Sequence, residues 1–490
     1  MTSITTPPVV TAPDPLRWKA LVVIAIAQLM VVLDASIVNI ALPSIQIDLG
    51  FTDANRQWVV TAYTLAFGGL LLLGGRIADY SGRKRIFIVG LAGFASASFL
   101  GGISHSAGTL LAARGLQGLF AALLAPAALS LISVTFTDSK ERAKAFGVYG
   151  ALSGGGAAIG LVLGGILTEY ASWHWTLLVN VPIAIIAVIL AIPFVRESRA
   201  VGNTKYDVPG AITATLGLVS LVYGITQAGT AGWNGTSTMT FMGLGVALLA
   251  LFMFIESRST HPLLPIRILA NRNRGGAYLA AFFVGVGLFA MFLFLTFFFQ
   301  GVLGYSPLKS GLLFLPFSAG VIVSAGIASQ LLPRFGPRWV TFGGFCLAVT
   351  GMAWLITLSP TSQYAANILP ALIVLSLGMG LIFVPLSATA LFGAGNHDAG
   401  VASAVLNTSQ QIGGSIGVAF LNTIAASATT AYVVANNLQG PNPDALVAGF
   451  SRGFAWGAGI LALAAIIWVS LVRMSKADMS AGDAEPALVH

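Results

Sequence analysis

"MVVLDASIVNIAL", residues 30–42, sets a carboxylate, Asp34, inside an apolar run that extends from residue 18 to residue 43. A run of that length exceeds the about 20 apolar residues that carry a helix across a bilayer. A charged side chain at the centre of such a helix costs at least about 2.5–3.5 kcal/mol on insertion scales. Asp34 therefore needs a partner, a use, or both.

The whole chain shares the character of this stretch. Its 490 residues are 56% hydrophobic and 8% charged, with a mean hydropathy of +0.88. Water-soluble domains carry about 25% charged residues, so this chain cannot cover a water-exposed surface and is expected to be an all-α membrane protein. Closed β-barrels show alternating segments of about ten residues, and the runs here are longer and continuous. A single cysteine, Cys346, excludes an intrachain disulfide and points away from a thiol metal cluster. There is no phosphate-binding glycine loop, metal-ligand cluster or nucleophile–base pairing in the pattern, and the histidines fall in loops, at span edges or at the C-terminus. These features point away from an enzyme, from a metal or organic cofactor, and from ATP-driven transport by this chain.

Fourteen apolar runs are long enough to span: 18–43, 56–77, 86–104, 109–136, 144–169, 174–195, 208–228, 236–256, 275–303, 308–332, 338–358, 364–391, 399–426 and 452–473. With both termini cytoplasmic, every basic residue except Arg56, Arg114, Lys309 and Arg452 falls on the cytoplasmic side. That bias is the positive-inside signal. It explains the net charge of +8 as topology and not as a nucleic-acid surface. The polar, Pro-rich segment 1–16 has no cleavable leader pattern, so the first run is expected to be a retained helix.

The runs divide as six, two and six. The expected organisation is a disordered tail (1–16), a six-helix bundle (17–200), two inserted helices (201–260), a second six-helix bundle (261–474) and a disordered tail (475–490). The halves share weak similarity. "RIADYSGRKR" (76–85) follows run 2 and "QLLPRFGPRW" (330–339) follows run 10, with Gly82 matching Gly336 and Pro333 standing where Asp79 stands. "GGGAAIGLVLGG" (154–165) in run 5 is matched by "IGGSIGVAF" (412–420) in run 13. Repeated halves with a midplane site between them characterise secondary transporters.

Asp34 is the only acid, and Arg114 the only base, deep inside a run. With the run 1 end taken at Pro43, Asp34 lies about 13 Å below the outer face and Arg114 about 8 Å below it, so the two can meet. A carboxyl at depth is a protonatable site. Burial favours its neutral form and a nearby arginine its anion. An ion pair that merely fixes packing is the competing explanation. Gln28 and Asn39 share one face of run 1, about 120° from Asp34. Gln117 follows Arg114 on the same face of run 4. In run 13, Ser403, Asn407 and Gln411 repeat at i, i+4 and i+8. Gln28, Asn39, Gln117, Asn407 and Gln411 are the candidate substrate contacts, with interhelical hydrogen bonding the alternative for the run 13 stripe. Gly156, Gly160 and Gly164, followed by Gly165, form a small-residue stripe that permits close helix packing, static or sliding.

Taken in order, these motifs resemble the major facilitator superfamily, and more narrowly its fourteen-spanner drug:proton antiporters of the EmrB/QacA type. "LDASIVNIALP" (33–43), "GRIADYSGRKR" (75–85), "RGLQG" (114–118) and "WHWTLLVNVP" (173–182) carry the resemblance, which covers roughly residues 15–475. The chain departs from the pattern at His174, where arginine is commoner, and at Gly160-Leu161, where antiporters usually read Gly-Pro. The resemblance implies that Gly75, Asp79, Gly82, Arg83 and Arg85 form a cytoplasmic latch between the halves. It also implies that Asp34 and Arg114 belong to a proton-coupling site, and that span 5 carries the antiport motif. The expected activity is export of lipophilic small molecules, such as drugs, antibiotics or dyes, driven by the proton gradient, by a monomer in the bacterial cytoplasmic membrane. A dedicated metabolite exporter, a proton symporter of the same fold and a non-transporting sensor or scaffold are the alternatives.

Overall fold

The computed structural model describes residues 14–53, 55–199, 207–259, 262–264, 266–393, 399–438 and 442–474. Of the two expected tails, 1–13 and 475–490 lie outside the described residues. Among the described residues every regular element is helical.

Among the described residues, thirteen helices are long and apolar enough to cross a membrane. In chain order they are span 1 (Arg17–Leu49), span 2 (Trp58–Ser81), span 3 (Arg83–Gly102), span 4 (Ala107–Thr135), span 5 (Ser139–Tyr170), span 6 (Trp175–Phe194), span 7 (Val208–Ala231), span 8 (Thr236–Arg258), span 9 (Arg272–Val302), a merged helix (Pro307–Thr357), span 12 (Tyr364–Leu391), span 13 (Ala399–Ala435) and span 14 (Pro443–Leu471). The merged helix has 51 residues. At 1.5 Å per residue it measures about 76 Å, more than twice the roughly 30 Å hydrocarbon core. It breaks at Gly336, which has φ 74° and ψ 163°. The two sides of the break, 307–335 and 337–357, are spans 10 and 11, which makes fourteen crossings.

Three boundaries differ by six residues or more from the sequence expectation, and one of them is the end of span 13, which runs to Ala435 and not to residue 426. Span 1 continues through Pro43 to Leu49 and stops at Gly50 in the left-handed region. Span 14 begins at Pro443, so Arg452, expected in a far-side loop, lies inside a helix. The cause is local: the Asn442 side chain accepts from the amides of Asp444 and Ala445, and proline follows at the first helical position. That combination starts a helix, since proline's missing N–H is not needed there.

With an even number of crossings, both described chain ends lie on one face, called here the terminal face; the opposite one is the far face. In the first half, span 1 packs on spans 5 and 6, span 2 on 4, and span 3 on 4 and 6. In the second half, span 9 packs on 13 and 14, span 10 on 12, and span 11 on 12 and 14. Each pairing recurs with eight added to the span number. The halves meet through span 2 against span 13 and span 5 against span 10, pairs that the same rule exchanges. Span 7 packs on span 8 and lies against spans 2 and 13.

Glycine makes the tightest of these contacts. A Cβ on Gly156 would meet Val32, one on Gly160 the Ser36 hydroxyl, and one on Gly164 the Ile37 carbonyl, all on span 1. Gly413 and Gly417 stand against Phe282 and Val286 of span 9 in the same way. Gly165 faces Pro307 and Leu308 at the start of span 10, so the stripe serves both a contact within a half and one between halves.

Candidate functional site

Asp34 is fully buried, and its carboxylate is held from three sides. Arg114 Nη1 of span 4 donates to Oδ2 at 2.6 Å. Gln117 Nε2 donates to Oδ1 at 2.9 Å and Asn180 Nδ2, from span 6, to the same oxygen at 2.8 Å. Arg114 is itself tied down: Nε donates to the Val59 carbonyl at 3.0 Å, Nη1 also to Gln117 Oε1 at 2.8 Å, and the guanidinium lies over the Tyr63 ring at 4.5 Å. Gln117 Nε2 also donates to Ser98 Oγ of span 3 at 2.7 Å. Five of the six spans of the first half thus close around one carboxylate. An ionised pair withdrawn from water is stable only when its remaining hydrogen-bonding positions are also filled, and this network fills most of them.

The cage accounts for the polar residues of spans 1 and 4 differently from the sequence expectation. Gln117, taken as a substrate contact, is fully buried and turned onto Asp34. Asn39 is half-buried and donates to the Ala35 carbonyl of its own helix at 2.9 Å. Gln28 is half-buried on span 1. Asn407 is exposed and donates to the Ser403 carbonyl at 3.1 Å, whereas Gln411 is half-buried with its Cβ against Gly68 of span 2. Asn180, Ser98 and Tyr63 belong to the cage and were not singled out. Their signal was a polar side chain in an apolar run: Asn180 stands inside "WHWTLLVNVP".

At the joint between spans 2 and 3, Arg83 Nε donates to Asp79 Oδ1 at 2.9 Å, and Ser130 Oγ of span 4 donates to the same oxygen at 3.3 Å. Gly82 has φ 113° and ψ 118°. Glu197, beyond span 6, accepts from the Lys84 and Arg85 amides at 3.1 Å each and so caps span 3. Gly75 faces the Pro126 ring of span 4. These contacts lie within the first half, and none of them reaches spans 9–14.

Contacts joining the halves cluster toward the far face. Arg56, buried before span 2, donates to Asp53 Oδ1 at 3.0 Å and to Asn422 Oδ1 of span 13 at 3.5 Å, with its guanidinium 3.7 Å from the Phe297 ring centre of span 9. Asn422 Nδ2 donates to the Asp53 carbonyl at 2.8 Å and to Gln57, and Gln57 Nε2 donates to Thr226 of span 7 at 3.1 Å. Two turns deeper, Ser415 Oγ donates to Thr64 Oγ1 at 2.6 Å. Gln300 Nε2 of span 9 donates to the Ile40 carbonyl at 2.9 Å, and Leu308 N donates to Glu169 at 3.0 Å. From the sequence alone Arg56 is expected only as a far-side loop charge.

The family profile described as Major Facilitator Superfamily matches residues 24–418. The chain belongs to the major facilitator superfamily. A puromycin resistance protein of Streptomyces alboniger is 48% identical over 96% of the chain and 95% of its own length. A cephamycin export protein of Amycolatopsis lactamdurans is 39% identical over 84% and 85% respectively, and a tetracenomycin C resistance and export protein of Streptomyces glaucescens is 32% identical over 84% and 76%. A solved bacterial homologue of the lysosomal transporter Spinster superposes with a TM-score of 0.67 at 16% identity, covering 97% of this chain and 100% of that one. A major facilitator fold is thereby shown, in a multi-pass membrane protein that is a transporter and not an enzyme.

Proposed function

We propose that this chain is a proton-coupled exporter of lipophilic small molecules of the antibiotic type, with Asp34 as the proton carrier. The observation that carries this reading is the three-donor cage around Asp34. It is a lone deep carboxyl, sealed from water in a structure whose halves touch at the far face. The Lys/Arg bias makes the terminal face cytoplasmic, so the far face is external and this is the state closed to the outside. Opening the far face would admit a proton to Asp34 as substrate leaves, and closing it would return the proton inward. Each charge moved inward gains about 2.3 kcal/mol per 100 mV, enough for a gradient of roughly fifty-fold. Gln28, Asn39, Asn407 and Gln411, on spans 1 and 13, are then the candidate substrate contacts. The chain works as a monomer on this reading, since each half supplies its own packing.

The relatives described above each carry one antibiotic in their names. That favours a narrow substrate range, with a compound of puromycin's class the first to try, over broad dye efflux.

Efflux of puromycin and of a lipophilic dye from vesicles with an imposed pH gradient tests both points. Asp34→Asn, at matched expression, is expected to abolish gradient-driven export while leaving substrate binding. Unchanged export in that variant removes Asp34 from the mechanism. Accumulation of substrate along the direction of proton flow would replace antiport with symport.

A further inference from the structure

A buried carboxyl that changes protonation must have suitable neighbours in both states. As an anion Asp34 needs donors only. As an acid it becomes a donor itself, and a buried O–H without an acceptor is costly. Arg114 can only donate. Gln117 has an acceptor, Oε1, but it is turned to Arg114 while Nε2 faces Asp34. Asn180 differs from both: it is fully buried, its Nδ2 donates to Asp34 Oδ1 at 2.8 Å, and its Oδ1 is buried with no hydrogen-bond partner. An orphaned buried carbonyl oxygen beside a protonatable group is the acceptor that the acid would require.

We propose that Asn180 is the positioning residue that offers Asp34 a donor when it is ionised and an acceptor when it is protonated. With Asp34 ionised, the amide donates Nδ2–H to the carboxylate. With Asp34 protonated, half a turn about the terminal bond of Asn180 presents Oδ1 to accept from the new O–H. No heavy atom leaves the cage, and Arg114 and Gln117 keep their places. Apart from Asp34, the ionisable groups facing this point are Arg114 of span 4 and Tyr63 of span 2; Ser98 of span 3 and Asn180 of span 6 are neutral, and span 5 presents glycines to span 1 here. The proposal rests on the reading of Asp34 as a proton carrier.

The test needs no substrate. In purified protein in lipid vesicles, an infrared pH titration follows the carboxylic acid C=O band that Asp34→Asn removes. Hydrogen bonds to an anion are stronger than those between neutral groups. Asn180→Leu, which neither donates nor accepts, should therefore move the midpoint of that band up by about one pH unit. The band itself should move to higher frequency as the O–H loses its acceptor. Asn180→Ala gives the same reading should leucine prevent folding. Asn180→Ser, which can both donate and accept, should restore the wild-type band. An Asp34 band indifferent to Asn180→Leu or Asn180→Ala overturns the role of Asn180 alone. The absence of any Asp34-dependent titrating band overturns this role and the proton-carrier reading together.

Discussion

Gly82 and Gly336 occupy equivalent joints of the two halves, and both hold positive φ, 113° and 74°. The likeness extends to the second residue after each glycine. Lys84 Nζ donates to the Ile192 carbonyl at 2.6 Å and Arg338 Nη2 to the Val469 carbonyl at 2.8 Å, each acceptor two residues from the end of the last span of its half. A long cationic side chain satisfies the orphan carbonyls at a helix C-terminus and is favoured there by the helix dipole. The joint between the second and third spans of each half is thus locked to the sixth.

That relationship predicts a stability cost at both glycines. A Cβ in this region of backbone space costs about 1–3 kcal/mol, and at Gly82 it would also meet the Glu197 carboxylate. Gly82→Ala should lower the melting temperature of the purified protein more than Gly336→Ala does. Adding Glu197→Gln to Gly82→Ala should recover little, since the backbone strain remains. Equal melting temperatures for wild type and Gly82→Ala would show that the joint relaxes without cost.

Arg114 offers a sharper separation of stability from transport. Removing one partner of a buried pair leaves an uncompensated charge and costs about 3–5 kcal/mol, whereas removing both can be close to neutral. Arg114→Met alone should therefore lower thermal stability strongly, and Asp34→Asn combined with Arg114→Met should regain much of it. Export should be lost in both variants. A double variant no more stable than Arg114→Met would mean that the pair is not the main term holding spans 1 and 4 together.

The fourteen crossings, the repeat and the Asp34–Arg114 pairing were legible in the sequence because each leaves a one-dimensional trace. Apolar length marks a span, basic residues mark a face, and two lone charges at similar depth have few other partners. Gln117 was visible on the Arg114 face, but the side to which it turns was not. A neutral amide can serve a carboxylate, a pocket or its own backbone, and only the packing decides. Asn39, bonded to Ala35 one turn earlier, and Asn180, bonded to Asp34 across the bundle, look alike in sequence. Glu197 escaped for a different reason: its partners, the Lys84 and Arg85 amides, lie more than a hundred residues away. Arg56 sits at a span boundary, where loop exposure and burial between halves have the same sequence pattern. The polar stripe of span 13 did hold a usable signal, since its four-residue spacing continues past Gln411 to Ser415, the residue that meets Thr64.

The glycines of span 5 should respond according to what they face. Gly160 lies against the Ser36 hydroxyl and the Leu33 carbonyl, within two residues of Asp34 on either side, so an alanine there must push spans 1 and 5 apart. A Cβ on Gly155 meets nothing within 4 Å. Replacing glycine in an exposed helix interior gains up to about 1 kcal/mol. Gly155→Ala should therefore keep export and raise stability slightly, while Gly160→Ala should lose export and lower stability. Measuring melting temperature and puromycin efflux for the two variants side by side separates a tight contact from a general need for glycine. Equal behaviour would show that the stripe matters for flexibility and not for close approach.

The far-face contacts make a prediction about motion. Thr64 and Ser415 place their hydroxyl oxygens 2.6 Å apart, on spans 2 and 13 from opposite halves. A disulfide needs sulfurs about 2.05 Å apart with compatible Cβ positions, and this approach is close enough for two cysteines to react. In a Cys346→Ser background, the Thr64→Cys, Ser415→Cys double variant should cross-link on oxidation and stop export, and a reductant should restore it. Either single variant should export under both conditions. If the halves must part at this point for substrate to leave, the block will track the cross-linked fraction. Full cross-linking with undiminished export would mean that spans 2 and 13 stay together through the cycle, and that the exit opens between spans 5 and 10 instead. The two outcomes distinguish a rocking of whole halves from the opening of one seam.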